Sequence, residues 1–402
     1  MKGELGSFNY NALQKEINEI VDQNESRIIE IRRHLHQYPE LSHKETKTVQ
    51  FIQDKLLSLG LTPWTCTGKD IMTTIDGGLP GRTVVLRADT DALPIKEETG
   101  LTFASKHEGV MHACGHDGHS AALLGAAQAL MELDEPFPGR IILLFQHAEE
   151  VVPGGACEIV ETEALDDVDA VFGFHLWKNL ESGKIGTVPG PIMAGSDFFT
   201  IEIEGKGGHG SMPHLSVDPI VIASHVVTQL QSVVSRMVNP LHPAVISVGK
   251  ITAGEGYNII PETAEIQGTV RYFQEDVQEQ IMDMMERLVQ GTCASFGAKG
   301  TLTYVKGDPA VINHPEMNKI VVEVGREIVQ AENVVPAPIS MAGEDFSYYL
   351  KKIPGAYFFI GIGGGEESCF GHHHPKFTIN EEMIAVGSKL FAGIALKYLL
   401  TK

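Results

Sequence analysis

Basic residues are scarce in this sequence: 31 Lys and Arg stand against 52 Asp and Glu, a formal net charge of −21. Such a chain repels nucleic-acid phosphates and anionic membrane surfaces, so neither is expected as a partner. A small anionic substrate is still allowed, because a local basic pocket can sit in an acidic protein. Cysteine is scarce too. Cys66, Cys114, Cys157, Cys293 and Cys369 are odd in number and scattered through 402 residues. That speaks against a disulfide framework and for a reducing compartment, the cytoplasm. No stretch is expected to reach the roughly 18 apolar residues that a membrane-spanning helix needs. The opening MKGELGSFNYNALQKEINEI lacks the apolar stretch of a secretory signal. Internal repeats and low-complexity tracts are missing as well. What is there is a globular balance, 43% hydrophobic and 21% charged, in a length that suits two domains.

Periodicity predicts the elements. Leu13, Ile17, Ile20, Asn24, Ile28, Ile31 and Leu35 recur at three- and four-residue spacing, one amphipathic helix over about 10–36, stopped by Pro39. A second helix is expected over about 46–59. Short apolar strands then alternate with helices: strands at 83–87 (TVVLR), 140–145 (RIILLF) and 170–174 (AVFGF), with an Ala/Leu-rich helix at 120–133. This is the pattern of an α/β fold with a mixed, largely parallel sheet covered by helices. From Pro189 the rhythm changes. A half-exposed strand at 198–204, a helix, two strands, a long helix and a strand at 301–305 give a βαββαβ order, an inserted α+β unit. Helix and strand then resume, closing with a helix over about 381–400. The expected division is 1–188 and 304–402 for one domain and 189–303 for the insert.

Four segments carry chemistry, and each follows a predicted strand or adjoins one, where open α/β sheets bind ligands. In MHACGHDGHS, Cys114 and His116 offer sulfur and imidazole nitrogen, donors that suit Zn, Mn, Co or Ni better than Ca or Mg. His112, Asp117 and His119 crowd the same loop. In FQHAEE, one of two adjacent carboxylates can bind a metal while the other acts as a base. His175 sits in GFHLW and three histidines in GHHHPKF, residues 371–377. Together, Cys114, His116, one Glu, His175 and one of His372–His374 make a five-ligand set for two divalent ions. Asp89, in RADTDALP, is placed as a carboxylate that orients a ligand. Gly205–Gly210 (GKGGHG) matches G-x-G-x-x-G in form only. No acid follows at the next strand to hold a ribose, so a glycine turn presenting His209 is expected rather than a dinucleotide site.

With RRHLHQYPELSHKE, RADTDALPI, MHACGHDGHSA, FQHAEE, GFHLW, GKGGHGSMPH, GYNIIPETAEIQGTVR, MAGEDFSYYL and HHHPKF in this order, the sequence resembles the M20 family of metallopeptidases and amidohydrolases. The likeness is to its aminoacylase, hippurate hydrolase and auxin-conjugate hydrolase branch. The resemblance implies a di-metal catalytic domain, 1–188 and 304–402, and an inserted lid, 189–303, that also forms a homodimer. It implies Cys114, His116, Glu150, His175 and His373 as metal ligands and Glu149 as general base on a metal-activated water. It implies His209, from the partner subunit, as an oxyanion donor, and Asn258 and Arg271 as anchors for a substrate carboxylate. Gly343 and Glu344 would line the pocket. One departure is plain: where many members have His-x-Asp, this chain has Arg87-Ala-Asp89.

The expected activity is hydrolysis of the amide bond of a small N-acyl-L-amino acid. A carboxypeptidase or dipeptidase on the same metal site, and a non-catalytic metal-binding relative, remain as alternatives.

Overall fold

The computed structural model describes residues 9–364 and 370–401; Cys369 lies outside them. Two compact units divide the chain. One comprises Met1–Ile192, Ile312–Ile339 and Asp345–Lys402, the other Met193–Val311 and Ser340–Glu344.

The first unit is built on a seven-stranded sheet. In chain order its leading elements are α1 (Tyr10–Gln37), α2 (Thr46–Ser58), β1 (Ile71–Asp76), β2 (Gly78–Asp89), α3 (His116–Met131), β3 (Phe137–Gln146) and β4 (Ala170–Glu181). Across the sheet the order is β1, β3, β2, β4, then strands Gly355–Gly363, Ile185–Thr187 and Val334–Pro336. The centre is parallel: β2 pairs with β3 and with β4, and β4 with Gly355–Gly363. β1 and Ile185–Thr187 run antiparallel to their neighbours β3 and Gly355–Gly363. Central strands buried on both faces explain the unbroken apolar runs in the sequence; Val84–Leu86 and Leu143–Phe145 are almost wholly inaccessible.

α3 is buried on every side from His116 to Leu130 and packs against α1 and the closing helix Glu382–Leu400. That closing helix is long and apolar enough to cross a membrane by composition, but 78% of its apolar window is buried. Its Leu390, Phe391, Ile394 and Leu396 belong to the hydrophobic core of this unit. The sequence predicted the helix only from Ser120. It starts four residues earlier because Gly115, at φ 98, turns the chain in the left-handed region and Asp117 supplies an acid to the first turn.

The second unit is a four-stranded antiparallel sheet in the order Lys299–Asp308, Gly195–Glu204, Thr263–Tyr272, Ala244–Ala253. Helices Pro219–Ser232 and Glu275–Ser295 pack on it, and Ile201, Ile203, Leu230, Ile266, Ile281 and Met285 form its core. After Ser232 the first of these helices passes into a π turn at Val233–Met237.

Candidate metal centre

The C-terminal ends of β2 and β3, the start of α3 and the middle of β4 bring the expected ligands of the first unit together. α3 starts at His116, directly after Cys114 and the Gly115 turn. The His116 ring places Nδ1 against Asp91, 2.9 Å from its backbone oxygen and 3.1 Å from Oδ1. Both partners accept, so Nδ1 carries the hydrogen and the Nε2 lone pair faces the site. Three carboxylates surround that nitrogen: Asp89 Oδ2 and Glu149 Oε2 at 3.8 Å and Glu150 Oε1 at 3.9 Å. No hydrogen bond satisfies Nε2, although it is fully buried. Burial opposes charge on His116, but Asp89, Asp91 and Glu150 outweigh it and push the imidazole up to about 10. The surroundings thus favour a positive charge at Nε2, a preference that a metal ion meets as a proton does.

His175, on β4, donates from Nδ1 to the Leu176 carbonyl at 2.9 Å, which leaves Nε2 facing Cys114 Sγ at 3.3 Å. Burial, then the neighbouring His119 and His372, hold His175 well below its ordinary value, so its lone pair is available. Burial, then Glu150, Glu149 and Asp89, push the Cys114 thiol well above its ordinary value. A thiolate there needs cationic partners.

Glu149 and Glu150 follow Ala148, whose φ of 51 puts a non-glycine residue in the left-handed region. Strain of that kind persists only where surrounding contacts impose it. Here Glu45 Oε1 accepts from the Ala148 N–H at 2.8 Å, and the Ala148 carbonyl accepts from Gly155 at 3.0 Å. The turn separates the two side chains. Glu150 Oε1 lies 3.2 Å from His373 Nε2 and grouped with Cys114, while Glu149 groups with His116 and Glu150. His373, also at positive φ, is held by its N–H on the Ala113 carbonyl at 2.8 Å, beside Cys114. Its neighbour His372 spends Nε2 on the Lys178 N–H at 3.1 Å, while its Nδ1 is buried without a hydrogen bond.

Cys114, His116, Glu150, His175 and His373 are therefore joined by close approaches into one constellation, with Glu149 beside it. The donor groups Cys114–Glu150–His373 and His116–Glu149–Glu150 share Glu150, and the group Cys114–His175–His372 shares Cys114 with the first of them. Sulfur, imidazole and carboxylate donors around unsatisfied His116 Nε2 and Glu150 Oε1 fit a pair of divalent ions. A further His/acid group, His43–His147–Glu158, is different: the Lys69 ammonium sits 3.0 Å from both Glu158 oxygens and supplies its cation.

Asp89, expected to orient a ligand, bonds His119 and Arg87 and lies 3.8 Å from His116. Its Oδ1 accepts from His119 Nδ1 at 2.7 Å and its Oδ2 from Arg87 at 2.8 Å. His119 Nε2 in turn accepts from the Leu176 N–H at 2.9 Å, so both its nitrogens are spent. The carboxylate that holds a candidate ligand is Asp91, which lies two residues further on in the same RADTDALP run. Spacing alone could not choose between them, because the choice depends on which way the chain turns as it leaves β2.

The remaining expected residues lie in the second unit. His209 Nδ1 accepts from the Ser211 N–H at 3.1 Å and its hydroxyl at 2.9 Å, which leaves Nε2 as an exposed N–H donor. Asn258 is adjacent, its carbonyl accepting from Gly210 at 2.9 Å. Arg271 forms a second locus with Asp308 and Glu344. Burial, then Glu344, push Asp308 up to about 7, against the pull of Arg271. Gly343 fits against Ser196, where a Cβ would come within 3.1 Å of the serine side chain. No described contact links these two loci.

The family model for peptidase family M20/M25/M40 matches residues 85–397. An N-acyl-L-amino acid amidohydrolase of Geobacillus stearothermophilus is 50% identical over 304 residues, 75% of this chain and 82% of that protein. Thermostable carboxypeptidase 1 of Saccharolobus solfataricus is 40% identical over 391 residues, 96% of this chain and 98% of that protein. A crystal structure of a dinuclear metal-binding M20 peptidase from Bacillus subtilis superposes with a TM-score of 0.83 at 35% identity, covering 95% of this chain and all of that one. The chain belongs to peptidase family M20/M25/M40, as a metal-dependent amidohydrolase with a centre for two divalent ions.

Proposed function

We propose that this protein hydrolyses the amide bond of N-acyl-L-amino acids, with Cys114, His116, Glu150, His175 and His373 holding two ions of Zn, Mn, Co or Ni. Glu149 is the general base. The observation that carries this reading is the placement of two carboxylates by the Ala148 turn: both come within 3.9 Å of His116 Nε2, and Glu150 also approaches His373 at 3.2 Å. The ions, when bound, supply Lewis acidity toward a water and a carbonyl oxygen. Glu149 takes the water's proton as the oxygen attacks the amide carbon, then delivers it to the departing amine. His209, with its hydrogen fixed on Nε2 by Ser211, donates to the developing oxyanion. Arg271 and Asn258 bind the substrate carboxylate, and Gly343 and Glu344 shape that end of the pocket. Arg271 is suited to this work because burial, against Asp197 and Asp308, lowers its affinity for protons and leaves a half-desolvated guanidinium.

The test is hydrolysis of N-acetyl and N-benzoyl amino acids by metal-stripped protein reloaded with each of the four ions, beside a dipeptide panel. Release of free amino acid from the N-acyl series is expected with at least one ion. Faster cleavage of dipeptides would install the carboxypeptidase reading, which the Saccharolobus relative favours by name. No release from any substrate would end both.

The proposal includes a homodimer in a reducing compartment, where Cys114 stays reduced and able to bind metal, and Cys66 and Cys293 are reduced as well. Ala244–Ala253 is an edge strand, and Met212, Leu215, Tyr257 and Ile259 are exposed around His209 and Asn258. An apolar rim on an exposed polar pair favours burial against a second copy. His209→Ala should lose most of kcat with an unchanged melting temperature. Mixed and reassembled with an inactive Glu149→Gln protein, it should regain about a quarter of wild-type activity if the donor acts across a two-fold dimer. No regain would place the donor in its own subunit.

A further inference from the structure

Asp91 is wholly buried and makes bonds on every side. Its Oδ1 and backbone oxygen take the His116 Nδ1 hydrogen. Its Oδ2 accepts from the Glu150 backbone N–H at 3.0 Å and from the Ser42 hydroxyl at 2.7 Å. One carboxylate thus ties an imidazole at the start of α3 to the backbone of a carboxylate beyond β3, two segments that share no strand pairing. The tie is itself anchored from the loop between α1 and α2. The Ala92 N–H donates to the Glu40 carbonyl at 2.8 Å, next to the bridge between Leu41 and Ala92, and Glu45 from the same loop holds Ala148. The PELSHKE run thereby acquires a purpose: Glu40, Ser42 and Glu45 brace, from behind, the two segments that carry His116 and Glu150.

We infer that Asp91 is a positioning residue that fixes the spacing and orientation of His116 and Glu150, and so governs how tightly and with what geometry the ion between them is held. This rests on the ligand assignment proposed above. The chemistry is specific to a carboxylate. Oδ1 meets a ring N–H, while Oδ2 meets a backbone N–H and a hydroxyl. Asparagine can present its oxygen to one side only and turns its own N–H₂ against a donor on the other. It also loses the charge that polarises the imidazole and makes it a better ligand.

The experiment uses full-length wild type, Asp91→Asn, Ser42→Ala and His116→Ala, loaded with Co²⁺. Affinity is measured by competition with a chromophoric chelator, coordination by the visible Co²⁺ spectrum, and folding of the metal-free proteins by circular dichroism and urea titration. Asp91→Asn is expected to bind one ion about 10–100-fold more weakly, with a changed spectrum, and to recover most of its kcat at high Co²⁺ with little change in KM. Ser42→Ala, which keeps the carboxylate, should shift affinity and spectrum in the same direction by less, and it carries the test should Asp91→Asn fail to fold. Wild-type affinity and spectrum in the folded Asp91 variant, or in Ser42→Ala if that variant must stand in, beside a metal-depleted His116→Ala, overturn this inference alone. Two ions bound at wild-type affinity by His116→Ala overturn the ligand assignment and this inference with it.

Discussion

Glu149→Gln should lower kcat by about 10²–10⁴-fold while two ions remain bound and KM stays within a few-fold of wild type. The amide is nearly isosteric with the carboxylate, so the turn at Ala148, held by Glu45 and Gly155, has no reason to move. What is lost is the capacity to take up and return a proton. Glu149 Oε2 stands 3.8 Å from His116 Nε2, close enough to serve a nucleophile lodged among the ligands without being needed to hold it. Glu150→Gln is the contrasting variant. Its Oε1 approaches both His373 and His116, so it should lose metal and activity together. Metal analysis of the two proteins side by side separates base from ligand. Near-normal turnover in Glu149→Gln, or metal loss equal to that of Glu150→Gln, would remove the proposed division of roles. The same pair of measurements distinguishes an amidohydrolase from a protein that only binds metal, since such a protein has no use for the second carboxylate.

Why the sequence disclosed some of this and hid the rest follows from what each residue spends its polarity on. The alternation of apolar runs and helical stripes reports burial, and it foretold β2, β3, β4 and the strand at Gly355–Gly363. β1 went unpredicted because IMTTID buries Thr73 together with Ile71 and Met72 and reads as neither alternating nor apolar. The first turn of α3 was read as loop because His116, Asp117 and His119 are polar, yet all three are buried, Asp117 and His119 in hydrogen bonds and His116 with Nε2 turned toward the candidate site. Arg32 and His36 likewise look like the solvated face of α1. In the fold Arg32 Nε and His36 Nδ1 each lie 2.8 Å from Asp117 Oδ2, clamping the helix that presents His116. Binary patterning assumes that polar means outward, and it fails where a buried site collects polar residues. The proposed ligand set stood out for another reason: sulfur, imidazole and paired carboxylates are rare donor types, and they cluster in a few short segments that resemble family motifs. Asp91, Ser42 and Glu45 are common residues in a turn, and only the folded backbone aims them.

Arg87→Met is expected to destabilise the first unit by on the order of 3–5 kcal/mol, the usual cost of stranding buried partner charges. The guanidinium is buried and spends each of its three nitrogens. Nε donates to Gln146 Oε1, NH1 to Asp89 Oδ2 and NH2 to Asp345 Oδ1, all at 2.8 Å. Gln146 and Tyr349 complete the network, with Gln146 Nε2 on Asp345 Oδ2 at 2.6 Å and the Tyr349 hydroxyl on Gln146 Oε1 at 2.9 Å. Methionine fills the space but takes the guanidinium away from two buried carboxylates, Asp89 and Asp345. Burial opposes charge on Asp89, and it stays ionised because His116, His119 and Arg87 outweigh that cost. Lysine should rescue poorly, since one ammonium cannot span three acceptors set around a planar fork. Both tryptophans, Trp64 and Trp177, belong to this unit, so fluorescence during urea unfolding reads its stability directly. A midpoint unchanged from wild type would mean that the network is slack. The double variant Arg87→Met with Asp89→Asn sharpens the point: if the stranded charge is the cost, removing it as well should return part of the lost stability rather than add to the loss. Arg87 would then be a guanidinium that, beside His116 and His119, helps to hold the Asp89 carboxylate charged.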